Sequence, residues 1–382
     1  MTGKPIELGA VVDIVMGQAP LGSNCNKEGN GTIFVKAGEF GERTPTIEEW
    51  TTQPLKMAKP EDTLVCVVGA TAGKVNFSTF ECAIGRSVAA VRPEKEKINP
   101  DFLHHFLKTM VSALRGRSQG AAQGVITREM LQCLTLVLPP LPEQRRIAAI
   151  LDQADALRAK RREALAELDK LAQSIFVEMF GDPDTNPKNW TRIPLGDVAL
   201  KITDGEHLNP EFSLTGMPIV MAGNVLEDSI DIANAKLVDS ALGERFRKKC
   251  GPVLGDLLVV SRGATIGRMC AVNVTDTFCL MGSVILIKLQ PNKLETAFLS
   301  ALLKHPVMRS ALYKTSGSSA QQAIYLKDLK NLPCIIPPIN LQKQFAKKID
   351  SITPVKAAHH SSLKEMDDLF ASLQHRAFRG EL

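Results

Sequence analysis

The stretch Leu138-Pro-Pro-Leu-Pro-Glu-Gln-Arg-Arg-Ile-Ala-Ala-Ile-Leu-Asp152 opens the segment that decides the fold of this chain. From Glu143 to Phe180 the segment contains neither glycine nor proline, and strong helix formers dominate it. Pro142 suits the first turn of a helix, because a proline there has a favourable φ and no hydrogen bond to lose. The segment therefore predicts a helix about 55 Å long, at a rise of about 1.5 Å per residue.

Apolar residues recur along this segment at alternating intervals of three and four, which is typical of a coiled coil. The predicted seam consists of Ile147, Ile150, Ala154, Leu157, Arg161, Ala164, Leu168, Leu171 and Ile175. Arg161 is the polar interruption in an otherwise apolar series. So long an apolar seam requires a partner helix to cover it.

The sequence supplies that partner in a second copy of the motif, Ile336-Pro-Pro-Ile-Asn-Leu-Gln-Lys-Gln-Phe-Ala-Lys-Lys-Ile-Asp350. Carrying the seam across gives Phe345, Lys348, Ile352, Val355, His359, Ser362, Met366, Leu369 and Leu373. His359 thus matches Arg161, and polar residues at such positions can fix the register of a coiled coil. Pro354 predicts a break or kink of the second helix between Ser351 and Pro354.

The composition is that of a globular chain with a mild positive charge. The 382 residues are 44% hydrophobic and carry a formal net charge of +5, which permits nucleic acid as a partner without demonstrating it. There is no apolar run of about 18 residues and no signal-peptide core after Met1, so we expect a cytoplasmic protein without a membrane segment. The eight cysteines form no C-x-x-C pair, and most, such as Cys66, lie in apolar runs. We interpret them as buried thiols, not as disulfides or metal ligands.

The chain consists of two copies of one plan. Each copy opens with a Leu-Gly pair, Leu8-Gly9 or Leu195-Gly196, followed by a variable, loop-rich part over 17–50 or 203–247. Buried strands around a glycine-rich turn, a helix, a polar loop and a last strand follow, and the copy ends in the long segment. The turn-rich linker 181–189 separates the two copies.

These features predict an α+β fold, in which two β-rich α/β globules are joined by two long antiparallel coiled-coil helices with a pseudo-twofold internal repeat. The predicted divisions are a globule over 1–138, a long helix over 139–181, a globule over 182–336 and a long helix over 337–382. Antiparallel helices would place the globules at opposite ends of a rigid spacer. This arrangement suits the reading of two half-sites on duplex DNA, whose turn of about 34 to 36 Å is comparable to the helix length.

The sequence resembles the specificity subunit of type I restriction–modification enzymes. The resemblance rests on Leu138–Ile147, on the helix ending in Phe180-Gly181, and on their repeats at 336–345 and 378–380. The paired Leu-Gly openings and the twin Gly-Ala-Thr-x-Gly-Lys/Arg turns agree with it. Two copies in the right order cover essentially the whole chain, although Ile339-Asn-Leu in the second copy departs from the Leu-Pro-Glu of the first.

The resemblance implies a non-catalytic subunit with two target-recognition domains, 1–138 and 182–336, each reading one half of a bipartite site in double-stranded DNA. The helices, 139–181 and 337–382, would set the gap between the half-sites. The resemblance also implies two modification subunits that bind S-adenosylmethionine and methylate adenine, and restriction subunits that use ATP and Mg²⁺. It implies no cofactor in this chain itself.

The glycine-rich turns Gly69-Ala-Thr-Ala-Gly-Lys74 and Gly263-Ala-Thr-Ile-Gly-Arg268 invite comparison with a phosphate-binding loop. A P-loop has four residues between its glycines and a Ser or Thr after the lysine, whereas here three residues intervene and an apolar residue follows. Nucleotide binding is therefore disfavoured. Either these are structural β-turns, or they present side chains to DNA phosphates. Those side chains would be Thr71, Lys74, Thr265 and Arg268.

The polar loops before each last strand, residues 115–123 and 314–322, carry cations, hydroxyls and amides on glycine-containing backbone. Arg and Lys can bind phosphates, Arg can also pair with guanine, and Gln can pair with adenine. A solvated loop is the alternative for any one of these residues. The complete predicted DNA-contacting set is Lys36, Thr71, Lys74, Arg86, Arg115, Arg117, Gln123, Arg262, Thr265, Arg268, Lys314, Ser318, Gln321 and Gln322.

Two stretches, Asn99-Pro-Asp-Phe102 and Asn209-Pro-Glu-Phe212, share an Asn-Pro pair with the Asn-Pro-Pro-Tyr signature of amino-methyltransferases. Both lack the second proline, and no glycine-rich S-adenosylmethionine loop precedes them, so helix capping and turn formation explain them. No catalytic constellation repeats across the copies, and adjacent histidines such as His104-His105 cannot face one metal on a helix. We therefore predict neither catalysis nor a metal site. The alternatives are a coiled-coil protein adaptor without a DNA role and a self-contained DNA methyltransferase.

Overall fold

The computed structural model describes residues 5–69, 71–118, 125–314 and 323–382, without the side chains of residues 117, 118 and 314. Its internal contacts divide the chain into two units. Unit 1 comprises Met1–Arg161 and Ser362–Leu382, and unit 2 comprises Arg162–Ser361. Each unit therefore contains one globule and a part of each long helix.

The sheets of unit 1 are built from short strands. These are β1 (Pro5–Glu7), β2 (Val12–Met16), β3 (Cys25–Asn26), β4 (Thr32–Val35), β5 (Trp50–Thr51), β6 (Met57–Ala58), β7 (Thr63–Cys66), β8 (Val75–Phe77), β9 (Cys82–Ile84), β10 (Val88–Pro93) and β11 (Thr135–Val137). They form a four-stranded sheet in the order β2-β10-β7-β8, a five-stranded sheet in the order β3-β5-β4-β9-β6, and the pair β1-β11. The pair β4-β9 is parallel and the pairs that flank it are antiparallel. The helices are α1 (Pro100–Thr109), α2 (Val111–Ser118) and α3 (Arg128–Gln132), followed by the long α4 (Leu141–Phe180).

Unit 2 repeats this plan. Its strands are β12 (Arg192–Pro194), β13 (Ala199–Asp204), β14 (Met217–Val220), β15 (Lys236–Val238), β16 (Leu257–Val260), β17 (Met269–Ala271), β18 (Cys279–Leu280), β19 (Val284–Leu289) and β20 (Pro333–Ile335). They form the sheets β13-β19-β16-β17 and β15-β14-β18, with β14-β18 parallel, and the pair β12-β20. The helices are α5 (Leu195–Val198), α6 (Ser240–Lys249), α7 (Thr296–Lys304), α8 (Pro306–Lys314), α9 (Leu326–Asn331) and the long α10 (Ile339–Ala377). The four-stranded sheets of the two units have the same strand order, which confirms the predicted internal repeat.

The inner strands β7 and β16 are buried along their whole length. Their continuous apolar sequences fit strands that are covered on both faces. In β16, Leu257 and Val259 pack into a cluster with the helices, whereas Leu258 and Val260 pack into a second cluster against the smaller sheet. In β7 of unit 1, Val65 and Leu64 likewise belong to different clusters, so the four-stranded sheet of each globule has a buried cluster on either face.

The two long helices run antiparallel within each unit. In unit 1, Arg158 of α4 bonds Asp367 of α10 at 2.6 Å, and the earlier residue Ile147 shares a buried cluster with the later residue Ala377. In unit 2, Phe176 and Phe180 of α4 lie against Phe345 of α10, with ring centroids 5.8 and 5.4 Å apart. Asp169, which is earlier in α4, bonds the later residue Lys356 at 2.6 Å. These contacts confirm the predicted antiparallel pairing.

The seam prediction is wrong at Leu157, Leu171, Val355 and Leu369, which are 56%, 47%, 45% and 57% exposed, and also at Lys348, which is exposed. Several buried residues lie one position after a predicted seam position, and this shift occurs in both helices. They include Leu151, Leu165, Lys356 and Phe370. The guanidinium of Arg158 lies over the ring of Phe370, 4.3 Å from its centroid, so a charged residue occupies this seam position through a cation–π contact. A pattern based on apolar residues therefore selects the neighbouring leucine instead.

The other predicted seam residues are buried to different extents. Ile147, Phe345 and Ile352 are buried, and the half-buried ones are Ile150, Ala154, Arg161, Ala164, Leu168, Ile175, His359, Ser362, Met366 and Leu373. The predicted break at Pro354 is wrong, because α10 continues through this residue without interruption. Pro354 lies on the exposed face, where the carbonyl of Asp350 that lacks its usual N–H partner can bond to water.

Both long helices begin with a buried glutamine in equivalent surroundings. The side chain of Gln144 bonds the backbone at the start of α1, and that of Gln342 bonds the backbone at the start of α7. The equivalence of these glutamines aligns the two helices residue by residue. It makes Arg158 of α4 the counterpart of Lys356 in α10.

Candidate nucleic-acid interface

The glycine-rich turn of unit 1 connects β7 to β8. Its first glycine, Gly69, has a φ of +89°, in the left-handed region that favours glycine. The Nζ of Lys74 donates a hydrogen bond to the carbonyl oxygen of Phe40 at 2.6 Å. The Nε of Arg115 donates to the carbonyl oxygen of Ala72 at 2.7 Å. Two predicted DNA-contacting cations therefore have partners inside the unit, where they brace the turn.

The turn of unit 2 has the same construction. Gly263 has a φ of +93°, and Nη1 of Arg268 donates to the carbonyl oxygen of Val225 at 3.4 Å. The Nε of Arg268 also lies 3.6 Å from Glu227. The basic residue that ends each turn thus reaches the same loop of its own unit, which gives both turns a structural role. A DNA phosphate contact from either residue stays a prediction.

Two further predicted residues also have partners nearby. Lys36 forms ion pairs with Glu49 and, at 3.6 Å, with Glu39. The hydroxyl oxygen of Thr71 lies 3.2 Å from the sulfur of Cys66. These contacts tie both side chains to the globule of unit 1.

Arg86 and Arg262 are exposed, and Thr265 is half-buried. Arg86 lies between β9 and β10, and Arg262 follows β16, so each is placed at the end of a core strand. The remaining predicted residues have side chains outside the described part of the chain. They are Arg117, Gln123, Lys314, Ser318, Gln321 and Gln322.

A second repeated motif lies inside the parts that the sequence presents as variable loops. Lys36-Ala-Gly-Glu-Phe40 follows β4 and Met221-Ala-Gly-Asn-Val225 follows β14, and each forms one turn of 3-10 helix. In both, the side chain of the fourth residue accepts a hydrogen bond from the backbone N–H of the first, at 2.6 and 3.1 Å. The shared Ala-Gly pair after an apolar strand was the signal that could have revealed this motif.

Each 3-10 turn leads into a loop of the same length, and we call residues 40–45 loop 1 and residues 225–230 loop 2. Isolated bridges join the ends of each loop, Phe40 to Pro45 and Val225 to Ile230. The match of the loop ends makes Arg43 of loop 1 the counterpart of Asp228 of loop 2. Neither residue stood out in the sequence.

Loop 1 is fixed to α1 and α4 by ion pairs. Arg43 bonds Asp152 at 2.6 Å and Asp101 at 2.9 Å, and Nε2 of His105 lies 2.9 Å from Asp152. Burial by itself raises the pKa of Asp152, but hydrogen bonds from His105 and Arg43 outweigh burial and lower this pKa to about 2. Asp152 is therefore ionised at neutral pH and holds loop 1 on the long helix.

Loop 2 is fixed to α7 and α10 with the opposite polarity. Asp228 bonds Lys304 at 3.2 Å and also bonds Lys356, and Nε2 of His360 lies 3.7 Å away. Lys356 is only 8% exposed and bonds Asp169 of α4 as well. Burial lowers the pKa of Lys356, but hydrogen bonds with Asp169 and Asp228 outweigh this effect and raise it. The buried ammonium group is thus charged and paired on two sides.

The long helices also carry exposed apolar residues at repeat-equivalent positions. Unit 1 presents Leu157 of α4 and Leu369 of α10, and unit 2 presents Val355 of α10 and Leu171 of α4. Leu157 corresponds to Val355, and Leu171 corresponds to Leu369. The same helix positions are therefore apolar and exposed in both units, which makes them candidates for contact with a partner protein.

Other kinds of site were sought in the described ranges. Within them, no cluster of three or more His, Cys, Asp or Glu side chains could hold a metal ion. The described helices also include none that is long and apolar enough to span a membrane. The cysteines are free thiols, of which Cys133 is exposed and Cys25 half-buried, while the other six are buried as predicted.

Comparison with known proteins places the chain in a class that specifies DNA sites. The family model of the type I restriction modification DNA specificity domain matches the chain twice, over residues 3–168 and 187–365. The chain therefore belongs to this family, which confirms the resemblance seen in the sequence.

Several known proteins are similar to this chain in sequence or in structure. The type I restriction enzyme EcoBI specificity subunit of Escherichia coli is 21% identical, in a match that covers 99% of this chain and 85% of that protein. A putative type I restriction enzyme MjaX specificity subunit of Methanocaldococcus jannaschii is 35% identical over 43% of this chain and 38% of that protein. The fold is similar to the crystal structure of a type I restriction–modification S subunit from M. genitalium, with a TM-score of 0.55 and 16% identity, covering 99% of this chain and 96% of that one.

Proposed function

We propose that this chain is the DNA-specificity subunit of a type I restriction–modification complex and that each unit reads one half of a bipartite site. The observation that carries this proposal is the double match to the DNA specificity family, together with the same strand order in the four-stranded sheets of the two units. A repeated recognition unit suits a target made of two separated half-sites. The long helices that run through both units would set the gap between them.

Arg86 and Arg262 are our first candidates for DNA contact. Both are exposed, and a guanidinium group can bind a phosphate or pair with guanine through two hydrogen bonds. Equivalent backbone hydrogen bonds in the two units align their sequences residue by residue. In this alignment Gly282 is the counterpart of Arg86, and Val68 is the counterpart of Arg262. The two cations therefore occupy different places in the two globules, which fits the reading of two different half-sites.

The helices would also bind the modification subunits. Leu157 and Leu369 in unit 1, and Val355 and Leu171 in unit 2, are two equivalent sets of exposed apolar residues. Two equivalent sets fit two copies of one partner. An apolar face of this kind would bury itself against a partner helix and exclude water from the contact.

We assign methyl transfer to adenine to those partners and consider this chain non-catalytic. S-adenosylmethionine would bind the modification subunits, and ATP and Mg²⁺ would bind restriction subunits where these are present. Titration calorimetry of the purified chain with S-adenosylmethionine tests the assignment. Binding of the methyl donor to the lone chain would favour a self-contained methyltransferase instead.

The decisive experiment maps methylated adenines across a genome that carries this gene beside its modification-subunit gene, and repeats the map after deletion of this gene alone. We expect one bipartite motif with a fixed gap to lose its methylation. Unchanged methylation in the presence of an active modification subunit would contradict the proposal. The result also gives the recognised sequence directly.

A binding experiment separates DNA recognition from a protein-adaptor role. For the complex of this chain with its modification subunit, affinity for the mapped site should fall steeply with salt, because phosphate contacts release counterions. Arg86→Ala and Arg262→Ala should each weaken binding, by about 1–3 kcal/mol if the lost contact is to a base. Lys170→Ala, which removes an exposed cation on α4, is the matched control. Equal affinity for the mapped site and for unrelated DNA would count against a specificity role.

A further inference from the structure

The two units carry the same pair of cations, one on a globule helix and one near the middle of a long helix, but neutralise it in different ways. Lys108 of α1 corresponds to Lys304 of α7, because the backbone N–H groups that open these two helices bond the equivalent glutamines. Arg158 of α4 corresponds to Lys356 of α10 by the same alignment. Both units must therefore provide a carboxylate for two nearby positive charges.

In unit 1 the carboxylate comes from the long helix itself. Asp155 of α4 bonds Lys108 at 2.8 Å and Arg158 at 2.7 Å. Its counterpart on α10 is Thr353, which has no charge. Unit 2 thus lacks a carboxylate at the position of Asp155, although Asp169 of α4 pairs with Lys356 as Asp367 of α10 pairs with Arg158.

In unit 2 the carboxylate comes from the globule. Asp228 of loop 2 bonds both Lys304 and Lys356. Its counterpart in unit 1 is Arg43, which instead bonds two carboxylates, Asp101 and Asp152. The contact between globule and helix therefore has opposite polarity in the two units.

We propose that Arg43 and Asp228 are positioning residues that fit each recognition globule to one long helix and not to the other. The inference rests on the proposed function, since orientation of a globule on its helix would decide where its half-site lies. If loop 2 carried an arginine at position 228, as loop 1 does at Arg43, this arginine would lie against Lys304 and Lys356. Like charges brought together in such contacts repel strongly, and Lys356 is too buried to escape into water.

The test uses the full chain in complex with its modification subunit. Asp228→Arg introduces the unit 1 charge into loop 2. Adding Ala297→Asp and Thr353→Asp supplies the counterparts of Asp101 and Asp155, while Asp350 already corresponds to Asp152. Asp276→Arg, at an exposed position outside loop 2 and its ion pairs, changes the net charge of the chain by the same amount and is the control.

We expect Asp228→Arg to lower methylation of the natural bipartite motif about tenfold at limiting enzyme, because the loop is repelled from its helix. Motifs whose gap differs by about one base pair should gain in relative methylation, because the globule is no longer held in one place. The triple variant should recover to within about twofold of the unmodified chain, as expected when repulsion is replaced by attraction. Asp276→Arg should leave the motif and its gap unchanged.

Two results would overturn the inference: Asp228→Arg behaving like Asp276→Arg, or a folded triple variant as defective as the single one. Circular dichroism reports whether each variant folds. If Asp228→Arg does not fold, Asp228→Asn is compared with its control Asp276→Asn, each of which removes one negative charge. Equal preference of these two variants for the natural gap would overturn the inference. Failure of the unmodified complex to methylate any bipartite motif would refute the proposed function itself, which separates the two kinds of failure.

Discussion

The side-chain oxygen of Gln144 accepts a hydrogen bond from the backbone N–H of Asn99 at 2.7 Å. Its side-chain nitrogen donates to the carbonyl oxygens of Lys97 at 3.0 Å and of Pro139 at 2.8 Å. Gln342 makes the same three bonds in unit 2, with Glu295, Lys293 and Pro337. The glutamine of the proline-rich motif therefore locks the first turn of a long helix to the turn before a globule helix.

Replacing Gln144 with methionine should lower the free energy of unfolding by about 2–4 kcal/mol, because three backbone groups lose their partner in a place that water does not reach. Gln144 is 1% exposed, and methionine has a similar volume, so the lost hydrogen bonds dominate the effect. The measurement is urea-induced unfolding. Gln153→Met on the exposed face of the same helix is the control and should change stability by less than about 0.5 kcal/mol. Equal effects of the two variants would contradict the locking role.

Exposed leucines on the helices of unit 1 should bind the modification subunit. Leu157→Ser with Leu369→Ser should weaken that association about tenfold or more, since buried apolar anchors dominate such interfaces. Their side chains already face water in the isolated chain, so the unfolding midpoint should hardly move. Gln153→Ser with Lys364→Ser alters exposed polar residues of the same two helices and should leave affinity intact. Calorimetric titration of the partner into each variant distinguishes these outcomes.

The long helices and the repeat could be predicted because local sequence determines them. A segment without glycine or proline, preceded by Pro142, has few alternatives to a helix, and a second copy supports the assignment. Apolar spacing alone could not give the seam. The guanidinium group of Arg158 covers the ring of Phe370 and bonds Asp367, which leaves Leu157 exposed. Periodicity cannot detect such a charged seam residue.

The ion pairs of the two loops could not be predicted, because they join segments far apart in the sequence. Arg43 and Asp152 are 109 residues apart, and neither has a neighbour that marks it. The glycine-rich turns were recognised from their sequence, but the internal bond from Lys74 to Phe40 depends on a 3-10 turn that was taken for a variable loop. Arg86 and Arg262 became the first candidates for DNA contact because their side chains are exposed.

His104 should make the protein acid-sensitive. Burial is the largest cause that lowers its pKa, from 6.5 to about 3, and the neighbouring His105 adds to this effect. Among the described residues neither ring nitrogen has a hydrogen-bond partner. The unfolded chain therefore binds a proton below pH 6.5 that the folded chain does not, so stability is fully present above pH 6.5 and falls as the pH drops towards 3.

His104→Leu should remove this pH dependence. Between pH 6.5 and pH 5 the natural chain should lose about 2 kcal/mol more than the variant, at about 1.4 kcal/mol for each unit of pH. Urea unfolding at both pH values gives the difference. His375→Leu, which changes an exposed histidine at the end of α10, should keep the slope of the natural chain. A variant with the same slope as the natural chain would show that His104 is protonated in the folded state.

If the long helices set the gap between half-sites, lengthening both should widen the gap and leave the half-sites alone. A heptad inserted after Glu163 in α4 needs a second heptad after Ser361 in α10, because these positions correspond in the repeat and the helices are antiparallel in each unit. Insertions of seven residues keep the same face of each helix towards its partner. At about 1.5 Å per residue they add about 10 Å, which is about three base pairs at 3.4 Å each. Methylation mapping should show the original half-sites with a gap longer by about that amount.

An insertion in α4 alone is the control. It removes the match in length between the two helices and should abolish methylation. Altered half-sites at an unchanged gap would show that the helices do not set the spacing.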